Sequence, residues 1–414
     1  MRPPQRSTLV AALLVLAVTA AATQAPGVSA RPAATAAIDR QLLAAVERHD
    51  VPGVVAMATS RRQVIYRGAF GMADVGNARR MTPDTLFRIA SMTKAVTSIA
   101  AMQLVEQRRI ALDDPVDKYL PSFADLWVFD SFDSATGDYR LRRATTPITI
   151  RHLMTHTSGL GYDFTSPIVR DFKPRDGGQN PVGPLLFEPG ERWLYGTSTD
   201  WLGRLVEAVA GMSLDEYFRR MIFDPLGMSD TLFNVPSFKE PRLATVHRRQ
   251  QDGSLVEQPR QAPRPVIQFN GGGGLYSTAG DYIKLLQMLL NGGLLGRARI
   301  LSAETVAAMG RNQIGALGVT TLKTAMPERS NDFSFIADGR DRWGLGFLIT
   351  ADRVQGKRSV GSLSWGGIDN TYFWVDPVRG VGGVIMMQVL PFADPLALKV
   401  YDSFERGVYQ LPPS

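Results

Sequence analysis

The chain has no cysteine among its 414 residues. That excludes a disulfide framework, a thiol nucleophile, a Cys-ligated zinc site and an iron–sulfur cluster. Histidine is scarce: only His49, His152, His156 and His247 occur. A Ser-His-Asp triad therefore has few candidates, and no Gly-x-Ser-x-Gly pentapeptide marks a nucleophile elbow. Charge of one sign is not concentrated anywhere. The net charge of +7 falls to +5 once Arg2 and Arg6 near the N-terminus are set aside. The basic pairs Arg61-Arg62, Arg79-Arg80, Arg108-Arg109, Arg142-Arg143, Arg219-Arg220 and Arg248-Arg249 are spread out with acids between them. Nucleic acid is not an expected partner, because a phosphate backbone calls for a clustered basic stripe. Past residue 30 no apolar run approaches the ~20 residues of a bilayer span.

What is present is an ordinary globular composition, 44% apolar and 21% charged, with 39 Gly and 26 Pro. Residues 1–30 carry Arg2 and Arg6, then an apolar stretch over 9–22, then Val28-Ser29-Ala30. This is the layout of a secretory leader cleaved after Ala30, so a secreted or periplasmic protein without a stable membrane span is expected. The length of the remainder, 31–414, suits one catalytic domain of two lobes.

Hydrophobic spacing predicts a helix over 37–49, then a hairpin of strands 54–59 and 64–70, then a buried helix over 91–106. Short helices at 150–154, 201–210, 214–223 and 281–290 follow, separated by long turns. After Trp343 the pattern returns to strands at 344–349, 362–366, 370–375 and 382–388, with a last helix from Asp394-Pro395 to about 408. The pattern implies an α+β fold. An antiparallel sheet flanked by helices comes from both chain ends (about 31–115 and 296–414), and a mainly helical lobe fills about 116–295. The cleft between the lobes is the default place for a site.

One tetrapeptide offers nucleophilic chemistry, Ser91-Met92-Thr93-Lys94. Residues i and i+3 share a helix face, so the Lys94 ammonium can reach the Ser91 hydroxyl. A serine at a helix start also directs its own backbone N–H at the carbonyl it attacks. The apolar helix behind it holds Lys94 in a partly desolvated place, the condition under which an amine serves as base. As an isolated match the tetrapeptide is weak and reads more readily as a capped helix with a surface lysine.

The surrounding segments carry more. FRIASMTKAVT at 87–97, IRHLMTHTSGL at 150–160, WLYGTSTDWLG at 193–203, DPLGM at 224–228 and GGGLYSTAGD at 272–281 occur in that order. Together the chain resembles the serine β-lactamase and penicillin-binding-protein-like superfamily. That resemblance implies a β-lactamase/transpeptidase-like fold with Ser91 as acylated nucleophile and Lys94 as its general-base partner. It further implies Tyr195 as the proton shuttle that opens the Tyr-x-Asn element, and Trp365-Gly366-Gly367 in the place of Lys-Thr-Gly on the strand edging the cleft. The backbone N–H groups of Ser91 and Ile368 would form the oxyanion hole. No cofactor and no metal is implied.

Two departures bear on substrate class. Thr197 replaces the Asn of Tyr-x-Asn, which removes an amide that would grip an acylamino group. Trp365 replaces a lysine that would pair with a substrate carboxylate. Both suit neutral acyl groups, and with Trp-Gly-Gly the chain is similar to the esterase branch. The expectation is a secreted serine hydrolase, a carboxylesterase acting on a small-molecule ester or amide, with acyl transfer to alcohols as an extension. A β-lactamase or D-Ala-D-Ala carboxypeptidase is the nearest alternative. A non-catalytic binding or sensor module is a third, and it predicts loss of Ser91, Lys94 or Tyr195. His152 and His156 are four apart, but Leu153 stands where a zinc protease helix needs Glu, so His156 is read as structural. Gly271 to Gly274 lack a following Gly-Lys-Ser/Thr, so close packing beside the cleft is expected of them rather than phosphate binding. Nothing in the sequence fixes the oligomeric state.

Overall fold

Strands from the two ends of the chain meet in one sheet. The computed structural model describes Met1 and residues 33–412, except 176–180, 261–262 and 335–338. The expected leader lies outside the described residues apart from Met1. From the N-terminal part come β1 (Gly53–Ser60), β2 (Val64–Asp74) and β3 (Arg79–Arg80). From the C-terminal part come β4 (Arg342–Trp343), β5 (Leu348–Ile349), β6 (Leu363–Gly367), β7 (Thr371–Asp376) and β8 (Val381–Met386). Their order is β4-β5-β6-β7-β8-β1-β2-β3, antiparallel throughout, and the seam is β1 on β8 with Val55 opposite Met386.

Both sheet faces are covered, which explains why the central strands are apolar without interruption. Alternate residues go to opposite sides. Val54, Ala56, Tyr372, Trp374 and Ile385 pack with Ile38, Leu42, Val400 and Phe404 of α1 (Ala33–Glu47) and α6 (Pro395–Val408). Val55, Met57, Phe373 and Val384 belong to the other core, which also contains α2 (Thr93–Glu106) and the inner residues of α5 (Ala279–Leu290). Gly383 takes the place of a side chain under Trp374, since a Cβ there would stand 2.2 Å from the indole ring.

Between the sheet strands lie the remaining helices, including α3 (Ile150–Thr155) and α4 (Ser198–Ala210). Two helices pack on elements of the other expected lobe, the lobes being 31–115 plus 296–414 and 116–295. α5 falls inside the expected helical lobe yet packs on β1, β7 and β8. α2 falls inside the expected sheet lobe yet packs on α4, and its residues 93–104 are all buried. A helix enclosed on all sides carries no apolar stripe to announce which neighbour it will choose. The insertion also contains strands, a hairpin of Trp127–Phe132 with Tyr139–Arg143.

Two further boundaries shift. The strand expected over 344–349 is interrupted by a tight turn, in which Gly344 N–H donates to the Phe347 carbonyl and Gly346 takes φ +95°. The helix expected over 214–223 is α-helical only at Leu214–Phe218 and widens into a π turn over Arg219–Phe223.

Candidate active site

Ser91 sits in a single 3-10 turn, Ala90–Met92, that runs straight into α2. Ala90 has φ +43°, a left-handed conformation costly for a residue with a Cβ. The bend lets Ser91 stand partly exposed while Lys94, one turn on, is 1% exposed. Lys94 Nζ lies 3.3 Å from Ser91 Oγ, as the spacing predicts. The same nitrogen donates to the Gly272 carbonyl at 2.6 Å and to the Tyr162 hydroxyl at 3.1 Å. It also stands 4.8 Å from the centre of the Tyr195 ring.

Tyr195 comes from the loop that precedes α4, and its hydroxyl donates to Ser91 Oγ at 2.6 Å. Lys94 and Tyr195, the other two side chains singled out for catalysis, are thus both within hydrogen-bond reach of Ser91 Oγ. Behind Tyr195 lies the buried His156, its ring 5.0 Å away. His156 caps α3 in a left-handed conformation, and burial, with Lys94 nearby, holds its imidazole well below the usual 6.5. Its ring is thereby kept unprotonated. His152 serves the other end of the same helix, where Nδ1 accepts the Thr149 N–H at 3.2 Å. Among the described residues no group of three or more His, Asp or Glu is arranged to hold a metal ion.

Trp365, on β6, forms the adjoining wall. Its ring lies 4.9 Å from that of Tyr195 and 4.6 Å, edge to face, from that of Trp343. It is 3% exposed, so the position that carries a cation in the Lys-Thr-Gly pattern is filled here by a packed indole. Gly366 and Gly367 are required by what touches them. A Cβ on Gly366 would stand 2.7 Å from the Tyr372 ring, and one on Gly367 would stand 2.3 Å from the Ile89 carbonyl oxygen. The bare backbone of Gly367 lets the end of β6 lie against the segment that delivers Ser91. Ile368 and Asp369 follow in the turn to β7, where Asn370 has φ +58°. Thr197 lies just before α4 and makes no capping side-chain bond.

Two groups went unnoticed at the sequence level. Tyr162 accepts from Lys94 and donates to Asp200 Oδ2 at 2.8 Å. Burial first, then the Asp200 and Tyr195 charges, push its phenol well above 10, so it remains a protonated donor. Asp200 lies in the first turn of α4, a favourable place for a carboxylate. Tyr162 belongs to no periodic element and follows the turn closed by Gly159, so only the folded contacts reveal it. The glycine run is the third contributor. A Cβ on Gly272 would stand 2.3 Å from Asp200 Oδ2, and Gly271 passes within contact of Gly203. These close approaches bring the Gly272 carbonyl to Lys94.

A family model described as Beta-lactamase matches residues 38–402. The chain is 32% identical over 394 residues to Monacolin J acid methylbutanoyltransferase of Aspergillus terreus, covering 88% of this chain and 93% of that protein. It is 29% identical over 399 residues to Lovastatin esterase of Penicillium rubens, covering 90% and 98%. Among solved structures it is similar to the LovD6 mutant of Simvastatin Synthase from Aspergillus terreus. The TM-score there is 0.77 at 31% identity, with 91% of this chain and 94% of that one covered.

Proposed function

The chain belongs to the beta-lactamase family, and on that premise we propose that it is a serine enzyme that cleaves carboxylic esters of short or medium acyl chains through an acyl-enzyme on Ser91. The observation that carries this reading is the single cluster Tyr195 OH, Ser91 Oγ and Lys94 Nζ, at 2.6 and 3.3 Å, facing the packed indole of Trp365. Relatives whose names describe a methylbutanoyl transferase and an esterase support acyl transfer and ester hydrolysis as the reaction class.

Lys94, with Tyr195, takes the Ser91 proton as Oγ attacks the ester carbonyl. The Ser91 and Ile368 backbone N–H groups receive the oxyanion. Tyr195 returns the proton to the departing alkoxide, and the acyl group then passes to water or to an alcohol. The hydrogen bonds from Lys94 to Gly272 O and Tyr162, and from Tyr162 to Asp200, hold the amine beside Ser91. The packed Trp365 and the Thr197 substitution favour neutral acyl groups over substrates gripped by a carboxylate.

In the same reading residues 1–30 direct export and are cut after Ala30; a mature N-terminus at Arg31 in exported protein would support this. The functional test is turnover of p-nitrophenyl esters, with and without added alcohols, against a chromogenic cephalosporin. Ester turnover at least about 100-fold above cephalosporin turnover is expected. The reverse ranking would assign the site to β-lactams.

A further inference from the structure

The two backbone N–H groups assigned to the oxyanion hole come from chain segments almost 280 residues apart, Ser91 and Ile368. Their catalytic value depends on how closely the separation is held, because an oxyanion hole works by preorganisation. One side-chain pair joins the two segments. Arg88, three residues before Ser91, grips Asp369, the neighbour of Ile368. Nη2 lies 2.9 and 3.0 Å from the two carboxylate oxygens, and Nε lies 3.2 Å from Oδ2. Asp369 is completely buried, and burial raises its carboxyl pKa while the Arg88 charge opposes the rise.

Both ends of this link are themselves held. The Gln388 side chain brackets the Arg88 peptide, accepting from its N–H at 3.3 Å and donating to its carbonyl at 3.0 Å. The Asp369 carbonyl accepts from Val389 N–H at 3.1 Å. The next residue, Asn370, donates through Nδ2 to the Val389 and Pro391 carbonyls at 2.7 and 2.8 Å. Residues 388–391 thus back both segments, and the guanidinium fork closes the triangle. Planar, two-point charge-assisted pairing fixes direction as well as distance, which a single hydrogen bond does not.

We propose that Arg88 and Asp369 form a positioning pair that sets the spacing of the Ser91 and Ile368 N–H groups and so tunes oxyanion stabilisation. This rests on the acyl-enzyme reading above. The hydrogen bonds of Arg88 and Asp369 go to each other and to residues 388–389, not to Ser91, Lys94 or Tyr195. A positioning pair of this kind is expected to act on kcat rather than on KM.

The test compares wild type with Arg88→Lys, which keeps the charge but loses the fork, and Asp369→Asn, which keeps the shape but loses the charge. Three quantities are read: kcat and KM on p-nitrophenyl butyrate, the inhibition constant of butylboronic acid as a tetrahedral mimic, and the melting temperature. Outright loss of an oxyanion-hole donor costs about 10²–10³-fold, so misplacement should lower kcat roughly 10- to 100-fold. KM should stay within about twofold, and boronate affinity should fall by the same factor as kcat/KM. The double variant should be little worse than the worse single one, since both break one link.

Unchanged kcat in a folded variant would overturn the proposal. So would a fall in kcat with boronate affinity intact, or a rise in KM in its place, which would make Arg88 a substrate-binding group. Loss of folding in both variants would make the pair a stability element and overturn it too. An acyl adduct on wild-type Ser91 separates the two levels. Without the adduct the acyl-enzyme reading itself fails, whereas with it a silent variant removes only the positioning role.

Discussion

Tyr195 donates a 2.6 Å hydrogen bond to Ser91 Oγ from a loop 104 residues further along the chain. Lys94 approaches the same oxygen from the opposite side of the local sequence, one helical turn after Ser91. Ser91 Oγ therefore has two adjacent groups able to exchange a proton with it, one supplied locally and one by the fold. A phenylalanine at 195 removes the second while keeping the ring that packs on Trp365 and His156. Tyr195→Phe should lower kcat on a butyrate ester about 10²- to 10⁴-fold with little change in melting temperature. Steady-state kinetics beside a thermal melt checks both halves.

The Tyr162–Asp200 link acts one step further out. Tyr162 hydrogen-bonds the ammonium of Lys94 and is itself tied to Asp200. Tyr162→Phe leaves Lys94 with Gly272 O and Ser91 Oγ as its remaining hydrogen-bond partners. Its rate loss should be smaller than that of Tyr195→Phe, about 10- to 100-fold, because it misplaces the amine without removing it. Lys94→Met should match or exceed the Tyr195→Phe loss. Comparing kcat for the three variants tests this order.

Gly367→Ala is expected to harm both stability and turnover. The added methyl would stand 2.3 Å from the Ile89 carbonyl oxygen and 2.4 Å from Thr371 Oγ1, so β6 and the Ser91 turn must separate. Overpacking of this kind costs about 1–3 kcal/mol. Urea denaturation gives the stability loss. A kcat decrease larger than that of a control such as Gly280→Ala, where a Cβ meets only Thr278 Oγ1 at 3.8 Å, gives the catalytic one.

His156 supplies a pH dependence of stability with a definite sign. Its folded pKa lies well below the usual 6.5, chiefly through burial and next through Lys94, so the native state stays unprotonated where the unfolded chain takes up a proton. Above about pH 6.5 both states are neutral and the group contributes nothing. As the pH falls below that value, stability is lost by up to about 1.4 kcal/mol per pH unit for this residue. His152 and His247 are also lowered by burial and add in the same direction. Urea denaturation between pH 7.5 and 5 should show this decline, and His156→Gln should flatten it.

How much was legible in the sequence follows from where each contact originates. Ser91 and Lys94 are one turn apart, so spacing alone brings them together, and the mostly apolar stretch 95–105 announces a buried helix. The largely unbroken apolar runs of β1, β7 and β8 likewise read directly from the chain, because a doubly covered sheet needs apolar residues on both faces. Tyr195 and Trp365 required the resemblance, since each alone is an ordinary buried aromatic. Tyr162, the Gly272 carbonyl and the Arg88–Asp369 fork stayed hidden because they are long-range contacts made by residues outside the long periodic elements. The packing partners of α2 and α5 were not legible for a related reason. A helix buried on every side gives no directional signal in its sequence, and partners are chosen only when the whole core assembles.

The central claim is a covalent one, and intact-protein mass spectrometry tests it most directly. Brief incubation with p-nitrophenyl butyrate and rapid acid quench should give a species heavier by one butyryl group, located by peptide mapping to Ser91 and absent from Ser91→Ala. Tyr195→Phe should still show the adduct, formed more slowly. Ester turnover that persists in Ser91→Ala, or a butyryl group mapped to any other residue, would contradict the account.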